Sequence, residues 1–235
     1  MVKYHVNPKT GEPGLCGAQA NNCPFGGGDV HYPTKEAARS AYEKTMAAPA
    51  FNFKPHLTAI SRKTASYPAK NFVGGHLRQL VDSGKPSRLL DYGCGRGTDV
   101  EFYRSFGGGE VYGYDPHWAP AEPEGQFNVV AMSYVLNVVE SKEKRLEVLK
   151  KASASLAPGG EMFVSVRSHS TIEKEAAKNG WTPRGDGYIT SLQRGTFQKG
   201  LTEEELQQLG AEAGLTDLKL IKHPDALTLS GTKIS

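Results

Sequence analysis

The sequence has few cysteines, little net charge and no long apolar run. Three cysteines in 235 residues do not make a disulfide framework, which argues against a small secreted disulfide scaffold. A formal net charge of +3 permits a nucleic-acid partner but does not indicate one, because phosphate-binding surfaces are usually more basic or clearly clustered. No apolar run approaches the length of a membrane span, and no signal-peptide pattern is present. We therefore expect a cytoplasmic protein that does not associate with a membrane.

The first part of the chain differs in composition from the rest. Residues 1 to about 33 are rich in Gly, Pro and Asn, hold two of the three cysteines and show no helical or strand period. Thr34 is a typical N-cap residue, and it precedes a predicted helix over 35–46. The sequence thus predicts a small Cys/His-containing module with one helix at residues 1–48, followed by a larger domain at residues 49–235.

Short apolar runs alternate with helical patterns in the larger domain. The predicted strands are 88–92, 110–114, 127–133 and 161–166, and the predicted helices are 69–83, 98–106 and 141–156. A capping box at Thr202 and Glu205 predicts a further helix that reaches Ala213, and 218–221 with 227–229 would form a closing antiparallel pair. The alternation predicts an α/β, Rossmann-like fold with a mostly parallel sheet covered on both faces.

A glycine-rich turn follows the first predicted strand of this sheet, and the second strand ends in an acid, Asp115. Glycines let the backbone approach a ligand and adopt positive φ, and an acid after the second strand accepts hydrogen bonds from ribose hydroxyls. The D-x-G-x-G-x-G pattern resembles motif I of class I S-adenosylmethionine (SAM) methyltransferases. The resemblance implies that SAM binds the turn and Asp115, whereas the glycine spacing is wrong for a dinucleotide pyrophosphate. The turn residues concerned are Asp91, Gly93, Cys94, Gly95 and Gly97.

The loop after Asp115 is short for a class I methyltransferase. Only the eleven residues 116–126, three of them proline, separate Asp115 from the next strand, so a helix and a further strand cannot both fit there. Most members of that class place an adenine-contacting residue on the missing strand. Pro116, His117 and Trp118 are therefore candidate cofactor contacts from the loop. The alternatives are that adenine is bound loosely, or that Trp118 simply packs under the loop.

Several segments resemble a methyltransferase-like family that is associated with DNA phosphorothioation. They are the segments at 56–62, 91–99, 113–116, 134–140, 186–190 and 195–199. The resemblance spans about residues 56–206 and implies nucleic acid or a modified nucleobase as a partner. The first 48 residues resemble a short Cys/His module of phage proteins, which implies a bacterial or phage-infected cell as the setting.

Candidate chemistry lies after the strand at 127–133, where such enzymes present substrate-facing groups. Ser133 is a candidate cofactor contact there, and Tyr134 and Asn137 are candidate catalytic residues. Asn137 could orient an amine or hydroxyl of the acceptor, or it could cap the following turn. The amine-directed Asp/Asn-Pro-Pro-aromatic motif and the Pro-Cys nucleophile of cytosine-C5 enzymes are both absent from the sequence. Arg62 could pair with the methionine carboxylate of SAM, or belong to a solvated basic segment.

The N-terminal module contains four residues that could bind zinc. His5, Cys16, Cys23 and His31 supply the donor types that zinc prefers, in a segment too small to fold on apolar burial. The spacing C-x6-C-x7-H is not a standard zinc pattern, and scattered Cys and His are more often unliganded.

Three functions are consistent with the sequence. The first is a SAM-dependent methyltransferase that acts on nucleic acid or a modified nucleobase. The second keeps the reaction but makes the acceptor a small molecule. The third is a SAM-binding sensor or interaction protein without turnover, which contacts a protein partner through residues 1–48.

Overall fold

The structure is a computed structural model that describes residues 3–6, 12–17, 31–46, 51–85, 87–107, 109–223 and 226–233. It divides into two compact units. The first comprises Met1–Asn52 with Pro183–Asp186, and the second comprises Phe53–Thr182 with Gly187–Ser235. The predicted helix of the N-terminal module is present. The predicted zinc candidate Cys23 lies outside the described residues.

The first unit contains a two-stranded antiparallel ladder and one helix. Strand β1 (Tyr4–Val6) pairs with β2 (Pro13–Leu15), and α1 spans Lys35–Met46. Ala38 of α1 is fully buried, and Thr34 accepts a hydrogen bond from the Ala37 N–H at 3.0 Å, as an N-cap residue does.

The second unit is built around a six-stranded mixed sheet. The strands that follow α1 in the chain are β3 (Arg88–Tyr92), β4 (Glu110–Tyr114), β5 (Phe127–Ser133), β6 (Leu156–Arg167), β7 (Thr182–Arg184), β8 (Gly187–Ser191), β9 (Thr196–Gln198), β10 (Leu215–His223) and β11 (Ala226–Lys233); β8 and β9 pair with each other outside the six-stranded sheet of this unit. Its helices are α2 (Gly74–Asp82), α3 (Thr98–Arg104), α4 (Lys142–Ala154), α5 (His169–Asn179) and α6 (Glu203–Glu212), with a π-helical turn at Ala69–Val73 and 3-10 turns at Pro55–Thr58 and Leu136–Val138. The sheet order is β10-β11-β6-β5-β3-β4. Strands β3 to β6 are mutually parallel, whereas β11 runs antiparallel to β6 and to β10.

Apolar side chains that alternate along the strands are buried on both faces of the sheet. On one face Leu89 and Val129 pack with Leu77 of α2 and Tyr103 of α3. On the other face Leu90, Val130 and Met132 pack with residues of α4 and α6. Burial on both faces is what a parallel sheet needs, and it confirms the predicted α/β, Rossmann-like architecture.

Three local predictions differ from the structure. The predicted turn at residues 158–160 lies inside β6, which starts at Leu156, because Phe127 of β5 bridges to Leu156. The helix predicted over 69–83 begins as a π-helical turn. Helix α5 has no counterpart in the prediction. None of the described helices combines the length and the apolar composition that crossing a membrane would need.

Candidate active site

A cavity of about 1510 Å³ opens at the carboxyl edge of the sheet in the second unit. Residues at the ends of successive strands line it, in the order of the sheet: Asp115 after β4, Gly93 after β3, Tyr134 after β5, Arg167 at the end of β6 and His223 at the end of β10. Ligands of open parallel sheets bind at this edge. A cavity for one drug-sized ligand measures about 300–1,000 Å³, so this one has room for two small molecules side by side.

The glycine turn brings the backbone to the cavity wall. Gly93, Gly95 and Gly97 all have positive φ, at 81°, 54° and 81°. A Cβ at Gly93 would lie 2.3 Å from Cγ2 of Val135, so no larger residue fits at this position. Gly93 and Gly95 line the cavity, and Gly97 instead forms the N-cap of α3.

Cys94, between these glycines, is a buried thiol. Burial raises the pKa of Cys94 to about 12, and the neighbouring Asp91 carboxyl adds to the effect. The thiol therefore stays protonated at neutral pH, which excludes it as a nucleophile.

Asp115 ties the glycine turn to the loop that follows β4. Its Oδ2 accepts a hydrogen bond from the Gly95 N–H at 3.1 Å. Its Oδ1 accepts from the N–H groups of His117 at 2.9 Å and Trp118 at 3.0 Å. A carboxylate has about four acceptor positions, so Asp115 can accept a further hydrogen bond from a ligand in the cavity.

Two buried acids and an arginine lie beneath the turn. Asp99 accepts from the Ser66 N–H at 2.7 Å and from Nη2 of Arg62 at 3.3 Å. Burial raises the pKa of Asp91 to about 8, and the Asp99 carboxylate raises it further while Arg62 opposes the shift. Arg62 lines the cavity, and its buried Nε has no hydrogen-bond partner among the described residues. That donor is suited to a ligand carboxylate.

Imidazole rings form the wall next to Asp115. His56 and His117 both line the cavity and stack with their ring centroids 4.0 Å apart. Partial burial lowers the pKa of His56, and His117 and Lys54 lower it further, so His56 is neutral at pH 7. Trp118 is outside the set of lining residues, and the guanidinium of Arg96 lies 3.9 Å above its ring. Trp118 is 36% exposed and contacts Arg96, and its contact with the cofactor stays a prediction from the sequence.

The opposite end of the cavity is lined by aromatic and amide side chains. Tyr67 and His223 stack with centroids 4.9 Å apart and an interplanar angle of 25°. Tyr67 is 51% exposed, so one face of this pair is accessible. Gln198 also lines the cavity, and its buried Oε1 has no hydrogen-bond partner among the described residues. Tyr134, at the centre of the sheet edge, has a φ of 64°, which is rare for a residue with a side chain.

Asn137 is buried and joins three backbone groups. Its Nδ2 donates to the carbonyl oxygens of Lys199 at 2.6 Å and Arg167 at 3.2 Å, and its Oδ1 accepts from the Arg167 N–H at 2.9 Å. Asn137 is not among the residues that line the cavity. Asn137 thus bridges β6 and the segment after β9. That it orients the acceptor stays a prediction from the sequence.

The structure brings most of the predicted site residues together. The following line the cavity: Arg62, Gly93, Cys94, Gly95, Asp115, Pro116, His117, Ser133 and Tyr134. Asp91, Gly97, Trp118 and Asn137 do not. Arg167 and the segment 197–199 are also predicted from the sequence as a substrate wall, and Arg167 and Gln198 line the cavity. The sequence prediction missed Tyr67 and His223. No short motif marks them, because they come from two segments that only the folded chain brings together.

Three solved structures are similar to this chain, and two of them are methyltransferases with S-adenosylhomocysteine bound. The 1,6-didemethyltoxoflavin-N1-methyltransferase of Burkholderia thailandensis, with bound 1,6-didemethyltoxoflavin and S-adenosylhomocysteine, is 21% identical; the match covers 71% of this chain and 79% of that one, with a TM-score of 0.49. Streptomyces venezuelae DesVI is 15% identical over 68% and 90% of the two chains, with a TM-score of 0.51. The N-methyltransferase NodS of Bradyrhizobium japonicum, in complex with S-adenosyl-L-homocysteine, is 12% identical over 79% and 100%, with a TM-score of 0.48. A search of curated proteins found no match.

The fold, with a glycine turn and an acid-ended strand beside a cavity at the sheet edge, is that of the SAM-dependent methyltransferases. The sequence matches the family described as a methyltransferase domain over residues 66–220. The chain belongs to this family and is a SAM-dependent methyltransferase.

Proposed function

We propose that the protein transfers a methyl group from SAM to a nucleobase, either free or within a nucleic acid. The observation that carries this choice of acceptor is the stacked Tyr67–His223 pair at the end of the cavity opposite Asp115. Proteins recognise unpaired bases by stacking them on aromatic side chains and by hydrogen bonds to the base edges. The resemblance to a family associated with DNA phosphorothioation supports the same choice.

The residues at the β3–β4 end of the cavity fit SAM. Asp115 has acceptor positions left for the ribose hydroxyls, and the glycine turn allows close approach of the cofactor. The buried Nε of Arg62 suits the methionine carboxylate. His117, stacked on His56, offers a ring for the adenine in the absence of the usual adenine-contacting strand.

The residues at the β6–β10 end fit a planar acceptor. A base that stacks on Tyr67 would occupy the part of the cavity that Gln198 and Arg167 also line, and these two side chains carry hydrogen-bonding groups suited to a base edge.

Alignment of the two reactants is the main contribution of these residues to the reaction. SAM, when bound, supplies a methyl group on a positively charged sulfur. Ser133 and Tyr134 follow β5, which lies between β3 and β6, so they separate the cofactor end of the cavity from the acceptor end. Holding donor and acceptor in line in this way accounts for most of the rate of such a displacement.

Transfer of radiolabelled methyl groups from SAM tests the proposal. The acceptors are single-stranded and duplex DNA, RNA, free nucleosides, and a cell extract freed of nucleic acids and nucleosides. We expect label in nucleic acid or nucleosides, and we expect Tyr67→Ala to reduce it more than Tyr112→Ala, a matched change of an exposed tyrosine on β4. Label only in the extract would overturn the nucleobase proposal and keep the reaction.

A small-molecule acceptor is the second candidate, and the cavity volume favours it. At about 1510 Å³ the cavity can hold a cofactor and a small acceptor together. On the resemblances alone, we also propose that the protein acts in the cytoplasm of a bacterial or phage-infected cell and contacts a protein partner through residues 1–48.

A further inference from the structure

Three side chains of the first unit converge on one point. His5 lies on β1, Cys16 directly follows β2, and His31 precedes α1. One potential ligand atom from each residue lies within 4.8 Å of the others. Each of the three side chains is partly buried.

Backbone hydrogen bonds fix the segments that carry these side chains. His5 is paired with Gly14 in the β1–β2 ladder. The Cys16 N–H donates to the Lys3 carbonyl at 2.9 Å. Tyr4 and Tyr32 exchange two backbone hydrogen bonds of 2.8 Å each, which bring the segment before α1 alongside β1. The cluster is therefore held by the main chain and not by long flexible side chains.

The distances in the cluster fit a tetrahedral zinc ion. Nε2 of His31 lies 3.1 Å from Sγ of Cys16. Ligand bonds of about 2.3 Å for sulfur and 2.0–2.1 Å for nitrogen place neighbouring ligand atoms roughly 3.5 Å apart in a tetrahedron. Nδ1 of His31 is buried and has no hydrogen-bond partner among the described residues, which is costly for an imidazole nitrogen. A metal ion would take up one of the two ring nitrogens.

The first unit also has little apolar burial to stabilise it. Among its described side chains, Ala38 and Pro13 are the buried apolar ones. A segment of this size usually needs a disulfide, a metal ion or a partner to fold. A structural zinc ion contributes folding free energy directly.

We propose that His5, Cys16 and His31 bind a structural zinc ion. One thiolate and two imidazoles are a donor set that selects zinc over magnesium or calcium, which prefer oxygen ligands. The three residues leave the fourth zinc ligand unassigned. The sequence predicts Cys23 for this position, and Cys23 lies outside the described residues.

Metal analysis of the full-length protein, purified without chelator, tests the site. We expect about one zinc ion per chain in the wild type and at least a tenfold loss of zinc in Cys16→Ser and in His31→Ala. His31→Cys replaces one zinc ligand with another and should keep the ion. His169→Gln removes a half-buried histidine of α5, in the second unit, and serves as the matched control, with zinc content unchanged.

Cobalt substitution provides a second readout, and its main measurement is made on the wild type, which does not require a variant to fold. The wild type loaded with Co²⁺ should show tetrahedral d–d bands and a thiolate-to-cobalt charge-transfer band, and Cys16→Ser should lose the latter. Two results would overturn the proposal. One is a wild-type protein that contains no zinc and does not take up Co²⁺, and the other is a disulfide between Cys16 and Cys23 in place of a bound metal. SAM binding measured on the same samples keeps this outcome separate from that of the methyltransferase proposal.

Discussion

The Asp115 carboxylate orders the loop of the cavity, and we propose that it also binds the ribose of SAM. Replacing it with alanine removes three hydrogen bonds to backbone N–H groups and this proposed ribose acceptor. Hydrogen bonds to a charged group contribute about 1.5–3 kcal/mol each, so Asp115→Ala should weaken SAM binding by about 10–100-fold. Calorimetric titration with SAM measures the loss.

Two variants calibrate the Asp115 result. Asp115→Asn keeps one acceptor oxygen and should fall between the wild type and Asp115→Ala. Asp82→Ala removes an exposed acid at the end of α2 and should bind SAM as the wild type does. Undiminished affinity in Asp115→Ala would remove Asp115 from the cofactor site.

The raised pKa of Asp91 makes stability depend on pH. The pKa is about 8 in the folded protein and about 3.9 in the unfolded chain, so the folded state binds more protons between these values. Stability contributed by this group is therefore lost as pH rises from about 4 to 8, with a slope of at most about 1.4 kcal/mol per pH unit. Asp91→Asn should show a flatter dependence in urea unfolding measured from pH 5 to 9. Parallel curves for the two proteins would show that Asp91 titrates normally.

Replacing Asn137 distinguishes a positioning role of this residue from a role in binding the acceptor. In Asn137→Ala the Lys199 carbonyl and the Arg167 N–H lose the Asn137 side chain as a partner, whereas the Arg167 carbonyl keeps the hydrogen bond from the Leu201 N–H at 3.2 Å. A buried group left without a partner costs about 1–3 kcal/mol, and we expect a loss of stability of that order. Methyl-transfer kinetics should show kcat reduced with little change in the KM for SAM. A raised KM for the acceptor with unchanged stability would instead assign Asn137 to acceptor binding.

At the level of secondary structure, the sequence predicts the bounds of an element correctly where the residues of that element show a clear hydrophobic pattern. Strands β3, β4 and β5 and helix α1 have the predicted bounds, since apolar runs or one-sided alanines define them. Helix α5 was missed because most of its surface is polar, and its N-cap residue Ser168 follows directly on β6. Tyr67 and His223 of the cavity were missed for a different reason. Folding brings their two distant segments together, and neither segment alone records that contact.

The capping box of α6 is an element that the sequence predicted and the structure confirms. The Thr202 hydroxyl accepts from the Glu205 N–H at 3.2 Å, and the Glu205 carboxylate accepts from the Thr202 N–H at 2.8 Å. Thr202→Ala should destabilise the second unit by about 1 kcal/mol, which lowers Tm by about 2–4 °C for a chain of this size. Ser141→Ala, which removes the single-bond N-cap of α4, is the matched control and should lower Tm less. Equal losses would show that the reciprocal bond adds nothing.

At the scale of the whole second unit, strand β4 and the short loop that follows it shape the cavity. Strand β4 lies at one end of the sheet order. The loop at residues 116–126 follows it directly, and the cavity is lined by His117 of this loop and by Lys151 of α4. The short loop therefore supplies part of the cavity wall.

We expect one cofactor molecule to contact both Asp115 and Arg62. Fragments of the cofactor should therefore stabilise the folded protein less than the intact cofactor does. S-Adenosylhomocysteine at 100 times its Kd should stabilise the folded state by about 2.7 kcal/mol, a rise in Tm of roughly 5–10 °C. Adenosine engages only the Asp115–His117 end and methionine only the Arg62 end. Adenosine alone, methionine alone, and a mixture of the two, each at the same concentration, should raise Tm less than S-adenosylhomocysteine does. The reason is that the covalent link in S-adenosylhomocysteine makes the second contact intramolecular. Differential scanning fluorimetry of the full-length protein measures these shifts. A rise with adenosine equal to that with S-adenosylhomocysteine would show that Arg62 and the segment around it do not contact the cofactor.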